Sequence, residues 1–227
     1  MKQIGYIKTI HPEYVDFYFD SQQVSIYKEN AIPTNEPSQS HLSNESKKRV
    51  QTMLNNIYSS VFEEVNSAIH YPSLSKENKA CYFYTLSCLA YPFFRDTVEY
   101  LGRQFRLNEY VTTVQVTSHM KKLYGDRRRV EIAVSSILSS LYYWNLINRP
   151  KVGQYSAISH LVDFSFHHKI MIKVLMTAHN HNAITQDMLE HSSIFFPFDY
   201  NVSISTLNSG SYRIIRSVSD TVIEENS

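Results

Sequence analysis

Thr112 and Gly125 fix the local geometry of this chain more tightly than any other pair of positions. Thr112-Thr113-Val114-Gln115 has the form of a capping box. In that motif the threonine hydroxyl accepts from a first-turn amide and the glutamine side chain reaches back to the amide of the cap. A short helix is therefore expected from about Thr113 to Gly125, a residue that stops a helix by taking a positive φ without a Cβ penalty. Asp126 suits the N-cap of a further helix, where its carboxylate also meets the positive end of the dipole. Upstream, Pro92 suits a first helical position, and Phe94, Val98, Leu101 and Phe105 recur as one buried stripe.

The helix after Asp126 carries the most information. Val130, Val134, Ile137, Leu141 and Trp144 fall on one side, and Arg128, Glu131, Ile132, Ser135, Ser139 and Tyr142 on the other. The outer side is small and polar, and basic at its N-terminal end. Beyond it, Leu146 to Tyr155 reads as two short strands around a tip holding Pro150 and Gly153. Residues 92–158 contain ten Lys/Arg and five Asp/Glu, a net of +5, whereas the whole chain is +1. The positive charge is thus concentrated where a phosphate-binding surface would need it.

Elsewhere the pattern is mostly helical. Residues 1–46 divide into β-prone runs, Tyr14 to Phe19 and Val24 to Ile26, and a Pro/Ser/Asn-rich loop from Ala31 to Ser46. A long amphipathic helix is expected over Lys47 to Ile69, with Lys47, Lys48 and Arg49 solvated at its start. Lys76 to Ala90, dense in Tyr82, Phe83, Tyr84, Leu86 and Leu89, is apolar on most sides and is expected to be the buried hub. A stacking platform for single strands is the rival reading of those rings. A helix over Leu161 to Ala178, a short one near Thr185 to His191, and a hairpin of Val202–Thr206 with Ser211–Arg216 follow, with a fraying tail from Ser217. The fold class expected is mainly α with small β. It comprises an N-terminal segment (1–46), a helical hub (47–91), the helix–helix–hairpin unit (92–158) and C-terminal helices with a hairpin (159–227), all in one unit. The last of these is a candidate second copy of the same arrangement.

Composition narrows the chemistry. Only five glycines in 227 residues disfavour phosphate-cradling loops and barrels. Cys81 and Cys88, two helical turns or about 10.5 Å apart, are too far apart for a disulfide and read as buried thiols of a reducing compartment. No signal-peptide or membrane-spanning stretch is evident, so a cytoplasmic location is expected. No phosphate loop, nucleophile elbow or zincin motif is present. His160, Asp163 and His167 would share a helical face if all three were helical, but no fourth metal ligand is evident. Scattered carboxylates argue against a magnesium nuclease. The expectation is a protein that is not an enzyme, with no cofactor and no metal.

Pro92 to Ile158 resembles the winged helix-turn-helix superfamily through the Thr112 cap, the Gly125-Asp126 turn, the Leu138-x-x-Leu141…Leu146-Ile147 close and the tip that would be its wing. The whole layout also resembles the BrxA-like small subunits of bacterial BREX phage-defence clusters. The points of likeness are the Lys48-Arg49-Val50…Leu54 helix start, the Tyr82-Phe83-Tyr84-Thr85 run and a terminal hairpin through Tyr212-Arg213-Ile214. These resemblances imply a DNA-binding subunit of a defence or other DNA-handling system, or a transcriptional regulator. Double-stranded DNA is the expected partner, without a membrane. The expected contacts are Arg127, Arg128, Arg129 and Ser135 on the third helix, Lys121 and Lys122 on the second, and Arg149 and Lys151 on the wing. The alternative is a protein-docking subunit anchored by Tyr142, Tyr143, Phe195, Phe196 and Phe198.

Overall fold

The computed structural model describes residues 3–18, 43–59, 71–207, 212–216 and 220–226. After an irregular N-terminal segment come α1 (residues 12–18), α2 (Asn44–Ser59), a 3-10 turn at Tyr71–Ser73, α3 (Lys76–Ala90) and α4 (Pro92–Phe105). Then follow β1 (Val111–Thr112), α5 (Thr113–Tyr124), α6 (Arg128–Tyr143), β2 (Ile147–Lys151), β3 (Gln154–Ala157) and β4 (His160–Leu161). The chain continues with α7 (Phe164–His179), β5 (Ala183–Thr185), α8 (Gln186–Glu190), a 3-10 turn at Ser193–Phe195, β6 (Phe198–Asp199), α9 (Ile204–Leu207), β7 (Tyr212–Arg216) and β8 (Thr221–Glu225). The protein is mainly α with small β-sheets.

The hub is α3, every residue of which from Cys81 to Cys88 is buried. Tyr84 packs edge-to-face on both Phe94 and Phe198, and Phe83 does so on Trp144. These rings are core, which removes the single-strand stacking platform. Cys81 and Cys88 are free and buried, and burial pushes both thiols up.

Three sequence expectations are corrected. Tyr14 to Tyr18, most of the run expected as strand, lies in a helix over residues 12–18: Pro12 stands at the first helical position, and Val15 and Tyr18 reach the core from one helix face. Val202 to Thr206 is not a strand, since Ile204–Leu207 is a helical turn, and the hairpin is formed by β7 with β8. The tail expected to fray is the central strand of a sheet, with Ile223 fully buried. The run Val24 to Ile26 and the Val61, Val65 and Ile69 end of the long helix lie outside the described residues, as does most of the Ala31 to Ser46 loop.

Two units share one topology. α4, β1, α5, α6 and the β2–β3 pair form an antiparallel sheet of order β1-β3-β2. α7, β5, α8, α9 and the β7–β8 pair form an antiparallel sheet of order β5-β8-β7. Val111, Thr112 and Val116 have counterparts at the same offsets in Ile184, Thr185 and Leu189. Each set is a buried strand residue, a threonine whose hydroxyl caps the next helix, and a buried helical residue. The units differ in their third helix, which has 16 residues in α6 and four in α9.

The N-terminal segment ties itself to α6. Ser140 Oγ, fully buried, accepts from Tyr6 Oη (3.0 Å) and the Ile10 amide (2.9 Å) and donates to the Ser136 carbonyl (2.9 Å). The Trp144 indole N–H donates to the Ile10 carbonyl at 2.8 Å. The buried side of α6 is thereby held from behind, leaving its opposite side to solvent.

Candidate nucleic-acid interface

The site is built on α5, α6 and the β2–β3 hairpin. Thr112 Oγ1 accepts from the Gln115 amide, and the Gln115 side chain accepts from the Thr112 amide at 2.8 Å, so the expected capping box is present. Gly125 ends α5 with φ of +89°. The Thr113 amide donates to the Gly153 carbonyl at 2.9 Å, which pins the hairpin tip to the start of α5.

Asp126 is not the N-cap of α6. That position belongs to Arg127, whose side chain makes no capping bond to the helix. Asp126 instead pairs with Lys121 at 2.8 Å, and Lys121 also binds Glu131. Asp126 and then Glu131 hold the Lys121 ammonium above its ordinary value. Lys121, in the last turn of the preceding helix, takes the Asp126 carboxylate in place of the α6 amides.

The eight expected contact residues therefore divide. Arg127 is half-buried and donates from Nη2 to the Tyr124 carbonyl at 2.8 Å, so it braces the turn between α5 and α6. Lys121 is committed to two carboxylates. Arg128 and Arg129 are exposed on the first turn of α6 and, among the described residues, make no ion pair. Lys122, Ser135, Arg149 and Lys151 are exposed. The Arg149 guanidinium sits 5.1 Å from the centroid of the Tyr142 ring, which brings the hairpin onto the outer stripe of α6.

That stripe is continuous. At about 100° per residue, Arg128, Ile132, Ser135, Ser139 and Tyr142 stack along one line. Each is exposed, apart from half-buried Ser139. The line is about 21 Å long at 1.5 Å per residue. It starts at Arg128, with Arg129 one position further round the first turn, passes Ile132 and two serines, and ends at Tyr142 under Arg149. Glu131, the one carboxylate beside it, is turned toward Lys121. Val152, 96% exposed at the hairpin tip, adds an apolar point between Lys151 and Gly153.

Tyr142's part in positioning Arg149 was not evident from sequence, because the contact joins two elements whose packing no local pattern encodes. Among the proposed protein anchors, Phe195 and Phe198 are buried and Phe196 is half-buried. Tyr143 is exposed but lies tilted against His11, ring centroids 4.0 Å apart. The three groups considered for a metal are separated in role. His160 Nε2 lies 2.6 Å from the Asn145 carbonyl, Asp163 caps α7, and buried His167 bonds Asn78. Among the described residues no group of three potential ligands converges, and no helix is long and apolar enough to cross a membrane.

Comparison with family models, curated proteins and solved structures yields no match.

Proposed function

We propose that this protein binds duplex DNA, with α6 in the major groove and the β2–β3 hairpin on the neighbouring backbone. The observation that carries this reading is the outer stripe of α6, with Arg128 at its start, Ile132, Ser135 and Ser139 along it, Arg149 of β2 over its end at Tyr142, and its adjacent carboxylate Glu131 paired with Lys121. An α-helix fits the major groove, and N-terminal cations on such a helix reach base edges or phosphates. The order of helices and strands agrees with the winged helix-turn-helix resemblance. Arg128 and Arg129 are the principal contacts, Lys122, Arg149 and Lys151 grip phosphate, and Ser135 faces the groove floor. Arg127 and Lys121 are positioning residues. The proposal assigns the surface no bond-making chemistry. It suits a small subunit of a phage-defence assembly, or a transcription regulator, working beside cytoplasmic DNA.

The protein-docking reading draws on exposed Tyr142 and Tyr143. Both rings are already engaged, by Arg149 and His11 respectively, and the surface around them is cationic, so DNA is the better occupant. A mobility-shift titration with random duplex tests the proposal. Arg128→Ala/Arg129→Ala, verified as folded, should bind at least about tenfold more weakly at low salt. A folded double variant that binds as tightly as the parent would remove α6 from the interface.

A further inference from the structure

Between α1, α3 and the end of α6 lies a cavity of about 320 Å³ that the DNA reading does not use. Its floor is apolar, formed by Val15, Leu74, Phe83 and Trp144. Phe83 and Trp144 meet edge-to-face with ring centroids 4.9 Å apart. Trp144 is fixed by its indole hydrogen bond to the Ile10 carbonyl. The aromatic wall is thus preformed.

The mouth is cationic. Lys79 Nζ lies 3.5 Å from Asp16 Oδ1 and 5.0 Å from the Tyr71 ring centroid. Tyr71 Oη donates to the same carboxylate oxygen at 3.0 Å. Asp16 is therefore already occupied. Lys76, one turn before Lys79 on α3, also lines the cavity, is exposed, and makes no ion pair among the described residues. The lining itself holds two ammonium groups and one carboxylate, and Glu77, within electrostatic reach of Lys76, lies outside it, so the cavity wall is net positive above an aromatic floor.

Small-molecule sites have this form: a concave apolar volume from about 300 Å³ upward, with a few polar groups to orient the occupant. A cation would meet two ammonium groups, and a neutral hydrocarbon would leave Lys76 unused. We propose that the cavity binds a small aromatic monocarboxylate, with its ring against Phe83 and Trp144 and its carboxylate on Lys76. The site stands independently of the DNA interface, since it lies behind α6 and uses none of the exposed stripe.

Trp144 is the chain's one tryptophan, so its emission reports on the cavity directly. Phenylacetate titrated into the 227-residue chain should change that emission saturably in the millimolar range. Phenylacetamide, its neutral counterpart, should bind about fivefold more weakly. Lys76→Gln should reduce phenylacetate to the affinity of the amide while leaving the amide unchanged. Ala80→Phe, which fills the cavity, should abolish both responses in a variant whose circular dichroism and melting match the parent. Should that variant fail to fold, the surface substitution Lys76→Gln carries the test alone. Emission indifferent to phenylacetate, equal binding of acid and amide, or a Lys76→Gln variant that binds the acid as the parent does would each overturn the proposal.

Discussion

Lys121 lies beside the proposed interface yet is paired with two exposed carboxylates, Asp126 and Glu131. In the proposed complex its contribution would be indirect: it would keep two carboxylates from opposing phosphate. Lys121→Gln should weaken duplex binding roughly fivefold, as expected for uncompensated like charges at an interface rim. Adding Glu131→Gln in that background should restore most of the loss, and absence of restoration in the titration would mean that Lys121 touches phosphate itself. At this scale the sequence is readable where partners are near in the chain. The Thr112–Gln115 box spans four residues and could be read outright. The capture of Asp126 by Lys121 could not, because an N-cap signal says nothing about a competing ammonium on the preceding helix. The same blindness hid Ser140, which looks like any small helical residue but holds Tyr6 and Ile10 from far upstream. Ser140→Ala would leave both donors unpartnered in the core. It should lower stability by about 2 kcal/mol or more in a denaturant titration, and an unchanged midpoint would refute that role.

At the scale of elements, α3, α4 and α5 match their predicted bounds because periodicity, Pro92, Thr112 and Gly125 all mark the same ends. The β-prone run from Tyr14 differs from expectation because Tyr, Val and Phe favour strands only where a pleated surface awaits them, and here Val15 and Tyr18 reach the core from a helix. The C-terminal hairpin was displaced along the chain because β8 earns its central place through pairing with β5, about 40 residues away, which no window of sequence reveals. Helix packing also sets the sign of one substitution. A Cβ on Gly102 would lie 2.0 Å from the Ser193 carbonyl oxygen and 2.8 Å from Phe196 Cβ. Helix propensity alone says that Gly102→Ala stabilises α4 by about 1 kcal/mol. Contact with the 3-10 turn says that it destabilises the fold by about 2 kcal/mol or more, and thermal melting should show the lower midpoint.

On the scale of the whole molecule, the two units of like topology have unlike surfaces: the first presents a long cationic helix, whereas the second has only the four-residue α9 in that place. The uneven charge was visible in the sequence, but the repeated topology emerges only from strand pairing. α3 and α7 are joined through His167, whose Nε2 lies 3.0 Å from Asn78 Oδ1. Burial pushes this imidazole down to about 4. Because the unfolded chain takes up a proton at higher pH than the folded one, stability is present above about pH 6.5 and lost as pH falls toward 4. Denaturant titrations should show a loss of about 2 kcal/mol between about pH 7 and about pH 5 from this group, and His167→Asn should flatten that dependence.

The central claim, that α6 and its hairpin meet phosphate, is tested most directly by the salt dependence of duplex binding. Five cations, Arg128, Arg129, Lys122, Arg149 and Lys151, stand exposed on that face. If each displaces a counterion, the plot of log K against log salt should have a slope of about −4.5, and Arg128→Ala/Arg129→Ala should make it shallower by about two. A slope near zero, or one the double variant leaves unchanged, would contradict the account.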